Sequence, residues 1–145
     1  MKRLTFVIAL FCLSASLVLA ADPPHALEAT WGTQGVAAFE AARAAGKDLN
    51  GMPEAVTIKL KVDAKKNKVS GEIDQMNAGM KLDVKDGKLS DKTFTFVTDV
   101  RASNGSTVKI NWKGELQDEN TVVLNRIGAD GAVTAKLVFQ RMAKK

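Results

Sequence analysis

Several reactive residue types are scarce in this chain. Its 145 residues include one cysteine, one histidine and no tyrosine. The cysteine, Cys12, lies in an apolar N-terminal run, so the rest of the chain has neither a disulfide framework nor thiol chemistry. One histidine leaves no His/Cys cluster for zinc and no base beside a nucleophile. The glycines stand singly in turns, so no phosphate-binding loop is present. The sequence therefore predicts no enzyme, no metal site and no cofactor.

The N-terminus is typical of a secretory signal peptide, residues 1–20. Residues 1–3 carry two basic side chains, residues 4–19 are mostly apolar, and small residues precede Asp22. We expect cleavage after Ala20 or Ala21, because the apolar run is at the short end for a membrane span and two serines interrupt it. The alternative is an uncleaved anchor. Cleavage predicts a secreted or periplasmic protein with no membrane span and no cysteine.

The charge balance is moderately basic. Lys and Arg number 21 against 16 Asp and Glu, a net charge of +5, which signal cleavage lowers by two. This excess is too small for a dedicated nucleic-acid binder, so no specific nucleic-acid partner is predicted. Two lysine clusters, one within residues 59–68 and one of Lys109 and Lys113, indicate either a solubilising surface or a surface for a polyanionic polymer or another envelope protein.

Strict alternation of apolar and polar residues defines the fold class. Residues 56–63 alternate without interruption, which predicts a strand with one buried face. Similar segments follow, separated by turns, and Asp86-Gly87 is expected to form a hairpin turn. The predicted strands have one apolar face and no second apolar face that could pack against helices. An all-β sheet closed on itself is therefore predicted, either as an up-and-down barrel of about 8 antiparallel strands or as a sandwich. Val108 and Val133 are among the residues expected to point inward.

The predicted domain spans residues 27–141. Residues 21–26, which include His25, are expected to form a flexible, solvated tail, and residues 142–145 a frayed one. Residues 27–32 predict the first strand, with Leu27 and Trp31 on one side. Residues 35–46 predict a short helix that packs through Val36 and Phe39, because they are alanine-rich and end in glycine. This helix is expected to be either a lid over the barrel or a plug in it.

A resemblance to the lipocalins, which are secreted barrels of the calycin type, rests on the ends of this domain. Lipocalins carry Gly-x-Trp on the first strand and a covering arginine near the end of the barrel. Ala29-Thr30-Trp31 and Arg141 stand in those places, although alanine replaces the glycine and the family's Thr-Asp-x-x-Tyr element is absent. The hairpins are also similar to those of short secreted bacterial β-barrel domains of unassigned function. The resemblance implies a closed secreted barrel, and it supports the fold more than any activity.

Two functions remain open from the sequence. The first is binding of a small apolar or amphipathic ligand in the barrel interior and mouth. Arg126 follows Val122 and Leu124 at intervals of two residues, so its side chain is expected to point inward as theirs do. There it would either pack on a tryptophan or anchor a ligand carboxylate. The second is a structural or interaction module that binds an envelope protein or a polyanion through its lysines. The residues predicted to line the ligand site are Trp31, Phe39, Phe94, Phe96, Trp112, Arg126 and Phe139.

Overall fold

The chain forms a closed barrel of eight antiparallel strands in sequence order, and the last strand pairs with the first. The computed structural model describes residues 25–144. The predicted signal peptide, residues 21–24 and Lys145 lie outside the described residues. The strands are β1 (Thr30–Gly32), β2 (Val56–Asp63), β3 (Lys68–Gln75), β4 (Met80–Ser90), β5 (Thr93–Arg101), β6 (Thr107–Asp118), β7 (Thr121–Ile127) and β8 (Val133–Arg141). A helix, α1 (Gly35–Ala44), follows β1, and a 3-10 turn (Met76–Ala78) joins β3 to β4. The predicted up-and-down barrel is confirmed.

The inward faces of the strands form one hydrophobic core. In β2, Val56, Ile58 and Leu60 are buried and Lys59 and Lys61 are exposed, as the alternation predicts. The core continues through both aromatic-rich strands β5 and β6 to β8. At roughly 1.5–3 kcal/mol for each large apolar side chain, this burial is the main stabilising term of the fold.

The barrel closes through β1, which is shorter than predicted. Leu27 is fully buried, but it lies in a turn, and its carbonyl accepts a hydrogen bond from Trp31 Nε1 at 3.0 Å. The strand begins only at Thr30, and it pairs with β8 at Trp31–Arg141 and Gly32–Gln140. The Arg141 guanidinium carbon lies 4.5 Å from the centroid of the Trp31 ring, which is the contact that the resemblance implied.

The chain on both sides of the predicted domain contacts the barrel. The Ala26 carbonyl accepts a hydrogen bond from Arg141 Nη2, and His25 Nδ1 accepts one from the Leu27 amide at 3.1 Å. After β8, the Met142 amide donates to the Thr30 carbonyl at 2.9 Å. The tails expected at residues 25–26 and 142 are therefore tied to the barrel at these positions.

Asp86-Gly87 is not the predicted hairpin. Strand β4 runs through both residues, and the register with β3 and β5 shifts there as it does at a β-bulge. Asp86 has a positive φ of 51°, which suits a hairpin turn as well as a β-bulge, so the backbone preference of the dipeptide is the same in both structures. Gly87 is required because a Cβ there would overlap the Val69 carbonyl oxygen. The bulge bends β4 and leaves Leu89 on the inward face, paired with Phe94.

Helix α1 packs where β2 begins and where the 3-10 turn joins β3 to β4. Its Val36 and Phe39 pack with Ala55 in a second hydrophobic cluster, separate from the core of the barrel. Its contacts with other elements are concentrated on β2 and the 3-10 turn. The expectation that the helix is a lid or a plug stays a prediction.

Two residues expected in the core are exposed instead. Val108 is 47% exposed although it pairs with Val100 on the inward face, because β5 and β6 extend past the packed part of the core. Val133 is 57% exposed, and it pairs with Ile127 beyond a register shift at Arg126. That shift breaks the alternation on which the inward prediction for Val133 rested.

Candidate functional site

The aromatic residues predicted to line a ligand cavity form packed core. Trp31 and Phe139 have no exposed surface, and Phe94 and Phe96 are 1% and 2% exposed. Accessible surface includes the walls of any cavity large enough for water, so these side chains border no such cavity. Phe94 stacks on Phe96 with centroids 6.1 Å apart, and Phe96 stacks on Trp112 at 6.2 Å. Their role in the structure is to fill the barrel.

The one buried polar contact of this aromatic column is satisfied. Trp112 Nε1 donates a hydrogen bond to Thr98 Oγ1 at 2.9 Å, and Thr98 has no exposed surface. A buried indole N–H without a partner would be destabilising, so Thr98 holds the orientation of the ring as well as filling space. The sequence prediction named Trp112 and missed Thr98, which the alternation with Phe94 and Phe96 could have found.

Arg126 is on the predicted face but is not buried. It pairs with Trp112 on one side and Ala135 on the other, which places it on the inward face of β7. Its side chain is nevertheless exposed, since β7 and β8 leave the packed part of the barrel at this level. The expectation that Arg126 is buried is wrong, because alternation predicts the face on which a residue lies and not its depth. Phe39, the remaining predicted residue, lies in the second cluster with α1.

The structure instead forms a concavity of about 910 Å³ between the β2–β3 hairpin and the bulge of β4. We call this the cationic concavity. Its apolar lining is Val62, Val69, Val84 and Leu89, and its charged lining is Lys61, Lys66, Lys68, Lys88, Asp63 and Asp86. The sequence analysis places three of its lysines in a surface cluster, but the pattern gives no reason to bring them beside the middle and end of β4.

Local backbone chemistry shapes this concavity. The Lys66 amide donates to Asp63 Oδ1 at 3.2 Å, which closes the β2–β3 turn, and Asn67 takes a positive φ of 51°. The Leu89 amide then donates to the Asn67 carbonyl at 2.9 Å, which ties the hairpin to β4 just after its bulge. The bulge and the hairpin therefore fix each other, and the lysines extend from a backbone held on both sides.

The electrostatics of the concavity favour an anion. The lining contains four exposed lysines and two exposed aspartates, so positive charge is in excess. One of the aspartates, Asp63, already accepts the Lys66 amide. The apolar side chains beneath the lysines are buried or half-buried, and they supply a surface that an aliphatic group can contact. Among residues 25–144, no group of three His, Cys, Asp or Glu side chains is placed to hold a metal ion.

A separate ion pair lies on the outer face of β4 and β5. Lys85 Nζ donates to Asp99 Oδ2 at 2.8 Å. This hydrogen bond lowers the pKa of Asp99 and raises the pKa of Lys85, with the attraction between the two charges adding to both effects. Within the part of the chain that the structure describes, Asp99 Oδ1 is buried and has no hydrogen-bond partner. Neither Lys85 nor Asp99 lines the cationic concavity.

Comparison with known protein families, with curated proteins and with solved structures finds no match to this chain. Across residues 25–144, each helix is too short or too polar to cross a membrane. The site is therefore argued from its own geometry.

Proposed function

We propose that the chain is a secreted or periplasmic, lipocalin-like β-barrel without enzymatic activity, and that it binds a small amphipathic anion in the cationic concavity. The observation that carries the proposal is the combination of lysines at the rim with inward-facing valine and leucine below them. The volume of about 910 Å³ lies within the range of roughly 300–1,000 Å³ that is usual for small-molecule sites.

The ligand chemistry follows from the two kinds of lining. An anionic group gains from Lys61, Lys66, Lys68 and Lys88, although each exposed contact contributes only about 0.2–1 kcal/mol. Affinity must therefore come largely from an aliphatic part that covers Val62 and its apolar neighbours, at about 25 cal/mol per Å² removed from water. A purely ionic ligand would bind weakly, and a neutral one would leave the lysines unused.

The concavity is favoured over the barrel interior and over the Arg126 end. The interior aromatic side chains have almost no accessible surface, so a ligand there would have to displace packed core. Arg126 offers a single cation beside exposed valine, without the several lysines that surround the concavity. The same lysines also suit a polyanionic polymer, but a polymer has no use for the apolar lining, and the experiment separates the two.

The test is calorimetric titration of the processed protein with dodecanoate, and with dodecanol and acetate as matched probes. We expect dodecanoate to bind more tightly than either, because it alone satisfies both linings. Replacing Lys61 and Lys68 together by Gln should weaken dodecanoate binding by about 2- to 30-fold, from two contacts of 0.2–1 kcal/mol each. The control is replacement of Lys47 and Lys113 by Gln, since both are exposed and outside the concavity.

A second variant tests the apolar lining. Val62→Thr places a hydroxyl on a half-buried side chain at the concavity, where it can reach water, so the fold should persist. The variant should weaken dodecanoate binding without changing the response to acetate. Equal binding of dodecanoate by both lysine double variants would overturn the proposal. So would retention on heparin combined with no dodecanoate binding, which would indicate a polymer-binding surface instead.

A further inference from the structure

A groove of about 610 Å³ runs between α1 and β8 on the outside of the barrel. Val36, Ala37 and Glu40 of the helix line one side of it. Val138 and Gln140 of β8, followed by Met142, line the other. Val138 is 47% exposed, as one of the few large apolar side chains left in solvent. The groove lies apart from the cationic concavity and shares no lining residue with it.

The groove lies where β1 would continue along β8 if the chain did not turn away into α1. Strand β1 pairs with β8 only at Arg141 and Gln140, because the chain turns at Thr33 into α1. The remainder of β8, from Val133 to Phe139, pairs with β7 on its other side. Within residues 25–144, no strand is paired with this part of β8 on the side of β1. The barrel thus has a short open strand edge beside its closure.

The hydrogen-bonding groups on this edge can be assigned from the neighbouring contacts. The Met142 amide donates to Thr30 on the β1 side, and the Arg141 amide donates to Asn120 on the β7 side. Backbone groups alternate between the two sides of a strand, so Gln140, Val138 and Lys136 present theirs to the β1 side. Gln140 pairs with Gly32, and the amide and carbonyl groups of Val138 and Lys136 are left at the groove.

We propose that this edge is a docking site for an extended peptide segment of another protein, which binds as an added strand along β8 between that strand and α1. The added strand takes antiparallel pairing with Val138 and Lys136, as β1 does with Gln140. A strand with apolar side chains on the face toward the groove suits it, because Val36, Ala37 and Val138 form the apolar part of the groove lining. Main-chain hydrogen bonds supply affinity, and the groove supplies the preference for small apolar side chains.

The groove fits a single strand better than a second copy of the barrel. A copy that paired through its own β8 would bring β7 along the far side of that strand. Helix α1 already stands across the groove from β8, in the place that the copy's β7 would need. A single extended segment needs no neighbour on its far side, and the polar groups that it leaves there remain in water.

The experiment measures amide hydrogen exchange by NMR on the processed protein. The probe is a capped synthetic peptide of alternating valine and threonine. The control peptide has the same sequence and is N-methylated at every residue, so it cannot donate a hydrogen bond along either edge. With the probe at about ten times its dissociation constant, exchange of the Val138 and Lys136 amides should slow roughly tenfold. The methylated peptide should leave both rates unchanged.

Two pairs of variants separate docking from a change in fold. Val138→Pro removes the edge amide without removing a bond to β7, and it should weaken peptide binding by roughly tenfold, whereas Val138→Thr should bind as well as the parent. Ala37→Arg should fill the groove and abolish binding. Ala38→Arg, on an exposed neighbouring position outside the groove, should not. This second pair leaves β8 untouched and keeps the test valid if the proline variant fails to fold.

Three results would overturn the proposal. The first is peptide binding that persists in both Val138→Pro and Ala37→Arg. The second is the lack of any binding by the parent protein. The third is protection of the Val138 and Lys136 amides before any peptide is added, which would mean that a second copy or residues 1–24 already cover the edge. None of these results bears on dodecanoate binding in the cationic concavity, so the two proposals fail independently.

Discussion

Gly114 is the position where the packing of the barrel is most sharply testable. It lies on the inward face of β6, directly opposite Phe94 of β5. The Phe94 ring rests on the glycine, so a Cβ at Gly114 would overlap Cζ and Cε1 of that ring and would lie 2.6 Å from Cε2. Gly114→Ala therefore adds one methyl group to a place that three ring atoms already occupy.

The expected loss of stability follows from how little the ring can move. Phe94 is 1% exposed and stacks on Phe96, which stacks in turn on Trp112. Relief of the overlap requires the Phe94 ring to shift by roughly 1.5 Å to reach an ordinary contact of about 3.5–4.0 Å, and the column of aromatic rings opposes it. Overpacking of this kind costs about 1–3 kcal/mol. We expect the upper part of that range, roughly 2–3 kcal/mol, and a melting temperature lower by about 8–12 °C.

The assay is urea unfolding followed by circular dichroism, for the parent, Gly114→Ala, Phe94→Leu and the double variant. Leucine at position 94 removes the ring atoms that the new methyl group would meet. In that background the added methyl should cost little, so the two substitutions should be coupled by at least about 1 kcal/mol. Lys113→Ala, which alters an exposed neighbour on the outer face, should stay within about 0.5 kcal/mol of the parent.

Additive effects of Gly114→Ala and Phe94→Leu on the free energy of unfolding would contradict this packing. If Gly114→Ala destabilises the Phe94→Leu protein as much as it destabilises the parent, the glycine is required for its backbone and not for the ring above it. A change below about 0.5 kcal/mol in the parent would mean that the Phe94 ring does not lie against Gly114 at all.

Two further substitutions test other contacts. Trp112→Ala should lower the free energy of unfolding by about 3–5 kcal/mol in the same urea assay, and a change under about 1 kcal/mol would remove the indole from the core. Lys85→Met tests the ion pair with Asp99 through the pH dependence of stability. The lowered pKa of Asp99 makes its contribution present above the ordinary value of 3.8 and lost as pH falls through the lowered one. The raised pKa of Lys85 makes its contribution present below 10.5 and lost as pH rises through the raised one. Thermal melts should show the parent's advantage over the Met variant between these limits and its decline outside them, and a constant difference would contradict the assignment.

The barrel could be predicted because its evidence is local and repeated. Residues 56–63 alternate without interruption, and the observed β2 has the same bounds as the prediction. Each further alternating segment independently requires the same single buried face, so errors in one segment do not change the topology. The Trp31–Arg141 contact was also expected, although only from the resemblance to a family and not from any pattern in the chain.

The candidate site could not be predicted, because it depends on where alternation stops. Asp86-Gly87 has the same backbone preference in a hairpin and in a bulge, and only the long-range partner, the Val69 carbonyl, decides between them. The hairpin reading placed Val84 and Leu89 on different strands. The bulge keeps them on one strand beside Lys88, and this makes the cationic concavity. At Arg126 the alternation predicts the correct face of the strand but the wrong burial of the side chain, since burial there is set by the lengths of the neighbouring strands.

The brevity of β1 links the closure of the barrel to the open edge beside it. A Cβ at Gly32 would lie 2.9 Å from Met142 Sδ and 3.3 Å from Val36 Cγ2, so a side chain at this position would require Met142 to shift. Helix α1 and the end of β8 thus meet over this glycine, and the chain is turned away from the sheet. Two register pairs would be a weak closure alone. Side chains compensate, because Arg141 covers the Trp31 ring and donates to the Glu119 carbonyl at 2.7 Å. Those contacts hold the barrel shut without a longer strand, and within residues 25–144 the rest of β8 has no strand partner on the side of β1.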